Sequence, residues 1–244
     1  MPFTLAHPAV IVPLYKAFKK RLSLTGLLIG SIVPDVEYCV NIVTRSVISH
    51  TFEGIFLFDL PVGIFLTVCY HAFIKQTLIF QLPDFIKRIF APYSNSNWFS
   101  YFIKHPLTYF ISLFIGIILH LVWDSFTHPN GYFVIREAWL SYPLFNSYFT
   151  VSRILWHVST WVGLYFVYRF LKSFYNNTDT IPEKRIKNYW ALVYLVGCAY
   201  MFFLWLPFLR PQEARYVFIA IAGSTLFGIT IISFIFRLIY FNRQ

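Results

Sequence analysis

Five stretches of about 20 nearly apolar residues, each bounded by charge or proline, constrain this chain more than any other feature. They are Thr51 to Phe73, Leu107 to Phe126, Phe149 to Leu171, Tyr189 to Phe208 and Tyr216 to Tyr240. A helix that crosses a hydrocarbon core of about 30 Å needs about 20 such residues, and in lipid a chain must satisfy its own backbone polar groups. Composition agrees, since 58% of the 244 residues are hydrophobic, 22% are aromatic and only 12% are charged. Soluble domains carry roughly 25% charged residues, so an ordinary cytosolic globule, a disordered chain and a fibrous repeat are excluded. The expected fold is an all-α, polytopic membrane helix bundle of about five spanning helices, with residues 1–244 forming one membrane domain. Three scattered cysteines, Cys39, Cys69 and Cys198, exclude a disulfide scaffold and a thiolate metal site.

The first 50 residues differ, because their two apolar pieces, Pro8 to Lys20 and Leu22 to Val33, reach only about 20 Å each as helix. The basic cluster Lys16, Lys19, Lys20, Arg21 lies between them, and Pro34-Asp35 follows the second piece. A re-entrant or tilted helical hairpin accounts for both facts and returns Asp35 to the level of His7. An uncleaved N-terminal signal is the alternative, but a signal peptide puts its basic region before its apolar run, whereas here the basic residues follow the first apolar piece and no small-residue cleavage site is evident.

Basic residues outnumber acidic ones, 20 to 10, and sit in the connectors, which points to lipid headgroups as partners rather than nucleic acid. If the hairpin tip reaches the cytoplasmic surface, fifteen Lys and Arg share that side and five (Arg45, Arg136, Arg153, Arg210, Arg215) face the other; if it does not, the division is eleven against nine. The first division is a positive-inside pattern, and it places the end of the second span on the non-cytoplasmic side. Asn176-Asn177-Thr178 matches a glycosylation acceptor, but its loop is expected on the cytoplasmic side.

Ionisable residues within membrane helices are functional candidates by default. The run Gly116 to Gly131 holds His120, Asp124, Thr127 and His128. At 100° per residue, His120, Asp124 and Thr127 share a stripe about 60° wide with Gly116 on the same face, so the imidazole and the carboxylate reach one ion. Gly116 would let another helix approach closely, and Thr127 would support a ligand. Topology brings His50, at the start of one span, to the level of His128, at the end of the next, and the hairpin adds His7 and Asp35. Imidazole plus carboxylate is a ligand set for Zn²⁺ and, with more oxygen donors, for Mn²⁺ or Fe²⁺. The candidate ligands are therefore His7, Asp35, His50, His120 and Asp124, with Glu37 and His128 as additional ones. Glu53 and Asp59 are the candidate general bases. Residues 1–135 would form a metal-site half and residues 136–244 a three-helix membrane anchor.

Each feature also has a structural reading. His120 with Asp124 would serve as a buried pair locking two helices, His7 as an interfacial residue, and His128 as a helix C-cap. Glu37 and Glu53 would be solvated acids at the headgroup level, and Asp59 would satisfy backbone freed by Pro61. His71, His105 and His157 read as packing or interfacial residues. A non-catalytic protein, either a metal or proton carrier or an assembly bundle, is the rival to an enzyme. A carrier would be expected to show an internal repeat with paired broken helices, and none is found.

The segments Met1 to Pro8, Gly30 to Tyr38, Ser49-His50-Thr51, Phe58 to Pro61 and Gly116 to His128 resemble a bacterial membrane family known as domain of unknown function 4184. The same stations, over roughly the first 135 residues, are similar to the inner-membrane metal-dependent hydrolase family, whose helix pattern Gly-x3-His-x3-Asp-x2-Thr-x3-Gly is matched at Gly116, His120, Asp124, Thr127 and Gly131. That family is similar in pattern to zinc-dependent phospholipase C. The resemblance implies a bacterial inner-membrane location and metal-dependent phosphoester hydrolysis, with a membrane lipid as the natural substrate class. Glu37 stands where the hydrolase pattern has its second Asp, and the His-Arg-Gly before the second histidine is absent.

Overall fold

The computed structural model describes residues 4–19, 21–41, 46–144, 148–175, 186–205 and 214–241. Lys20, Arg45, Lys184, Arg185, Arg210, Arg243, the acceptor Asn176-Asn177-Thr178 and the expected end of the fourth span at Phe208 lie outside the described residues. The described residues are mostly helical, with no strand among them and one isolated bridge between Pro143 and Thr150. In chain order the helices are α1 (Pro8–Phe18), α2 (Leu24–Gly30), α3 (Val33–Asn41), α4 (Phe52–Gln81), α5 (Asp84–Phe90), α6 (Trp98–Lys104), α7 (Pro106–Thr127), α8 (Val151–Lys172), α9 (Tyr189–Tyr200) and α10 (Ala214–Phe236).

Among the described residues, three helices are long and apolar enough to cross a membrane: Phe52–Gln81, Pro106–Thr127 and Val217–Ile239. They coincide with three of the five expected spans. In the position of the third, α8 is 22 residues long but carries Arg153, His157, Ser159, Thr160, Arg169 and Lys172, which lower its hydropathy. In the position of the fourth, the described residues form an apolar helix, Tyr189–Leu204, and the rest of that expected span lies outside them. The N-terminal pieces form two short helices, and the second piece ends early. Gly30 closes α2, and Pro34 lies in the first turn of a separate α3, so Asp35 rides at a helix start.

The chain divides into two compact units, each drawn from several segments. The first comprises Met1–Asp35, Ile48–Ile64 and Lys104–Ser173, so it takes residues from both sides of position 135. Its axis is α7. Pro106 opens α7 at a position that needs no backbone donor, and Pro129 disfavours helical geometry at His128, so the helix ends there. One face of α7, from Tyr109 through Leu113, Gly116, Ile117, His120 and Asp124 to Thr127, is buried, while Leu107, Phe110, Phe114, Val122 and Trp123 are exposed apolar surface of the kind lipid covers. Against the buried face lies α2, whose N-terminus is capped by Ser23; the Ser23 amide in turn donates to Ser112 Oγ at 2.8 Å. The two backbones nearly touch. A Cβ on Gly30 would collide with the Leu113 carbonyl, and one on Gly116 with the Leu27 carbonyl, which is the close approach expected of Gly116. Beside them α1 packs on α8, with Tyr15 edge-on to Phe170.

The second unit comprises Val36–Val47, Phe65–Ile103 and Phe174–Gln244. Its core joins α9 and α10 through Val193 and Ile232, with Tyr189 hydroxyl and Ser233 Oγ 2.8 Å apart. Gln81, at the end of α4, accepts from the Ile186 amide through Oε1 and from Trp190 Nε1 through its carbonyl. Lys75 is buried, and its Nζ donates to the Ser96 carbonyl and hydroxyl. His71 stacks on Trp98, in keeping with a packing role.

Candidate metal centre

Four segments of the first unit supply the cluster. His7 immediately precedes α1, Asp35 lies in the first turn of α3, His50 sits in the turn before α4, and His120 with Asp124 lie one turn apart on the buried face of α7. The close approach of α2 to α7 sets the Ser31 carbonyl against His120, whose Nδ1 donates to it at 2.8 Å. A carbonyl only accepts, so the neutral imidazole keeps its lone pair on Nε2. His50 is fixed in the same way. Ser49 Oγ donates to the Pro34 carbonyl at 2.8 Å and accepts from His50 Nδ1 at 2.8 Å, which leaves His50 Nε2 as the atom turned to the cluster.

Both Nε2 atoms face two carboxylate oxygens. His50 Nε2 is 3.3 Å from Asp124 Oδ2 and 3.9 Å from Asp35 Oδ1; His120 Nε2 is 3.5 Å and 3.6 Å from the same two atoms. These separations are too long for charge-assisted hydrogen bonds, which close to about 2.7–2.9 Å. The shortest of them equals the edge of a tetrahedron of ligands around zinc, roughly 3.3 Å for metal–ligand bonds of about 2.0–2.1 Å, and the longer ones reach 3.9 Å. Asp35, His50, His120 and Asp124 thus offer four ligand atoms that all lie within 4.8 Å of one another. Asp35 Oδ1 and Oδ2, Asp124 Oδ2 and His120 Nε2 are buried without a hydrogen bond. Such groups are expensive to bury unless something binds them.

The outer carboxylate oxygens meet the other histidines. His7 Nε2 donates to Asp124 Oδ1 at 3.1 Å, its Nδ1 lies 3.8 Å from Asp35 Oδ2, and its ring stacks on His120 at 4.0 Å. His128 Nδ1 lies 3.5 Å from Asp124 Oδ1 and 3.2 Å from the Asp124 carbonyl. Burial pushes the His128 imidazole down to about 4 despite the Asp124 carboxylate, so at neutral pH it carries no charge. Every ion-pair contact of Asp35 and Asp124 among the described residues is with histidine. Two buried carboxylates together carry the charge that one divalent cation would balance. The side chains of His7 and His120 are 0% exposed against 20% for His50 and 23% for His128, so the centre opens on the His50 and His128 side.

Three expected site residues are not in this group. Glu37 follows Asp35 by two positions, about 200° around a helix, and so points away. Its carboxylate accepts from Ser46 Oγ at 2.6 Å and from the Val47 amide at 3.0 Å. Glu53 is exposed in the first turn of α4, where Thr51 Oγ1 caps the helix by accepting from the Gly54 amide. Asp59 is fully buried at the end of a π-helical turn, Ile55–Asp59, in which the Leu60 amide donates to the Ile55 carbonyl just before Pro61. Thr127 back-bonds to the Trp123 carbonyl and lies 3.4 Å from His128 Nδ1. Sequence reasoning missed Ser49 and the Ser31 carbonyl. Ser49 adjoins His50, which was the one available signal; a backbone carbonyl leaves none.

The fold and the cluster define a class: an all-α membrane protein with a buried centre of four histidines and two aspartates. Within that class, the chain belongs to the family described as Domain of unknown function (DUF4184), which it matches over residues 1–240. The match therefore takes in the later helices as well as the segments whose motifs resemble it. No curated protein and no solved structure matches the chain.

Proposed function

We propose that the protein is a membrane-embedded, metal-dependent hydrolase of phosphoesters, with a lipid phosphoester as the substrate class, and that its centre faces the non-cytoplasmic side of a bacterial inner membrane. The observation that carries the reading is the pair of histidines whose Nδ1 atoms are committed to oxygen while both Nε2 atoms turn to unbonded carboxylate oxygens. Asp35, His50, His120 and Asp124 would hold a divalent cation. Two nitrogen and two oxygen donors suit Zn²⁺, with Mn²⁺ or Fe²⁺ as the alternatives. Such a cation supplies Lewis acidity toward a phosphoryl oxygen and makes water acidic enough to attack near neutral pH.

The chain's own residues do the rest. His7 holds Asp124 Oδ1 and thereby turns Oδ2 inward. His50 and His128 border the partly exposed flank of the cluster, where a substrate would enter. Between the two candidate bases, Glu53 lies near that flank in sequence, three residues after His50, and is exposed enough to pass a proton to water. Asp59 is fully buried within α4.

The test is a panel of phosphomonoesters, phosphodiesters and phospholipids offered to purified protein reconstituted with Zn²⁺, Mn²⁺ or Fe²⁺. Metal-dependent release of phosphate or headgroup, abolished in His120→Ala, is expected. Metal-loaded protein that turns over no member of the panel would point to a carrier or structural centre instead.

A further inference from the structure

Beyond the metal centre, the segment after α7 carries a second kind of site. Since α7 is about 33 Å long and apolar enough on average to cross a membrane, its end at Thr127 falls at the edge of the hydrocarbon layer. The chain then enters an internally hydrogen-bonded loop. Phe133 donates its amide to the Ser125 carbonyl, Ile135 to Gly131, Glu137 to Phe133 and Leu140 to Glu137, while Ser141 Oγ donates to the Val134 carbonyl. Val134 and Leu140 are buried as its small core, and the Ser152 amide ties it to α8 through the Leu140 carbonyl. Gly131 allows the first turn to press on the carbonyls of Asp124 and Ser125, so the loop is anchored to the turn that bears a cluster carboxylate.

The outer surface of this loop is unlike that of a water-facing one. Tyr132, Ile135, Trp139, Tyr142, Leu144 and Tyr148 are all exposed by half or more. Two guanidinium groups lie over exposed rings: Arg136 over Tyr132 at 3.7 Å and Arg153, from the first turn of α8, over Tyr148 at 3.9 Å. Arg136 also donates to the Tyr132 carbonyl at 3.1 Å. Stacking fixes a guanidinium flat against a ring and leaves N–H edges for an oxyanion. Amphipathic aromatics with arginine are what the boundary between lipid and water selects. Glu137 is the one acid among residues 129–150.

We propose that residues 131–144 and 148–150 form a platform seated in the lipid headgroup layer, with Arg136 and Arg153 as its contacts to lipid phosphate. The occupant is the headgroup layer of the membrane that α7 crosses, because the loop begins where that span ends and pairs large rings with cations that complement phosphate. The platform stands independently of the hydrolase reading, since it would seat in lipid whether or not the centre turns a substrate over.

The test uses the full chain in nanodiscs of phosphatidylglycerol and phosphatidylcholine, with spin labels at Ile135→Cys and Trp139→Cys after the three native cysteines are changed to serine. Collisions with oxygen, relative to those with a water-soluble nickel chelate, should rise several-fold above those of the same label free in buffer. A ratio equal to that of the free label at both positions would overturn the platform and leave the face to a protein partner. For the arginines, Arg136→Gln with Arg153→Gln should reduce the phosphatidylglycerol retained per chain after detergent exchange by about two- to fivefold. Unchanged retention in a folded double variant would overturn the phosphate contacts. The single variants, each expected to lose part of the retained lipid, decide the matter if the double variant does not fold.

Discussion

The two compact units differ in how polar side chains within apolar helices are grouped. In the second unit several close on one another, Tyr189 with Ser233, Gln81 with Ile186 and Trp190, Lys75 with Ser96, and the unbonded Thr77 Oγ1 and Ser224 Oγ belong to no ion-pair cluster among the described residues. The closed pairs are local fastenings, and each has its partner in hand. In the first unit, fastening stops short of the centre. Ser31 and Ser49 take up the outer nitrogens of His120 and His50, His7 takes one oxygen of Asp124, and the inner atoms of the cluster face each other at 3.3–3.9 Å. A polar group in a membrane helix is thus structural when its bonds are complete. It marks a site when several groups are held rigidly with the same atoms left over.

That contrast is broken most directly by removing an inner oxygen. Asp124→Ala should abolish metal retention and any activity that depends on it, as measured by metal content of the purified variant, because two histidines lose their shared partner and the charge of the centre falls. Next in size is Gly116→Leu, which pushes α2 from α7. Thermal unfolding should show a loss of about 1–3 kcal/mol from overpacking, and metal should fall with it because Ser31 moves off His120.

Smaller changes sharpen the division. Ser49→Ala frees the His50 ring without touching an inner atom, so metal affinity measured by competition with a chelator should weaken about 10- to 100-fold while the helical fold persists. In the second unit, Tyr189→Phe should lower stability by about 0.5–1.5 kcal/mol and leave metal content as it was. Smallest of all, Glu37→Gln should leave chelator competition curves superimposable on the parent's, since that carboxylate is engaged by Ser46 and Val47.

Much of the first unit is readable from residue order. The i, i+4 spacing of His120 and Asp124 places both on one helix face, and the short N-terminal apolar pieces foretell a chain reversal that brings Asp35 within 3.8 Å of His7. Helical angle also argues against grouping Glu37 with Asp35, although Glu37 stands where the resembled hydrolase pattern has its second Asp. Three of the five apolar runs become helices long and apolar enough to cross a membrane. The third run becomes the more polar α8, because runs counted by their ends hide the polar residues inside, and the fourth is apolar over Tyr189–Leu204, with its expected end outside the described residues. The atoms that orient the centre lie furthest from view. The Ser31 and Pro34 carbonyls are backbone groups, placed by glycine contacts between α2 and α7 and by the turn before α4.

The central claim is that the leftover inner atoms hold a divalent cation, and elemental mass spectrometry of protein purified without chelators tests it. The account predicts at least one equivalent of zinc, manganese or iron per chain in the parent and none in Asp124→Ala that retains its helical spectrum. Parent protein with only trace metal, even after incubation with each cation, would contradict it.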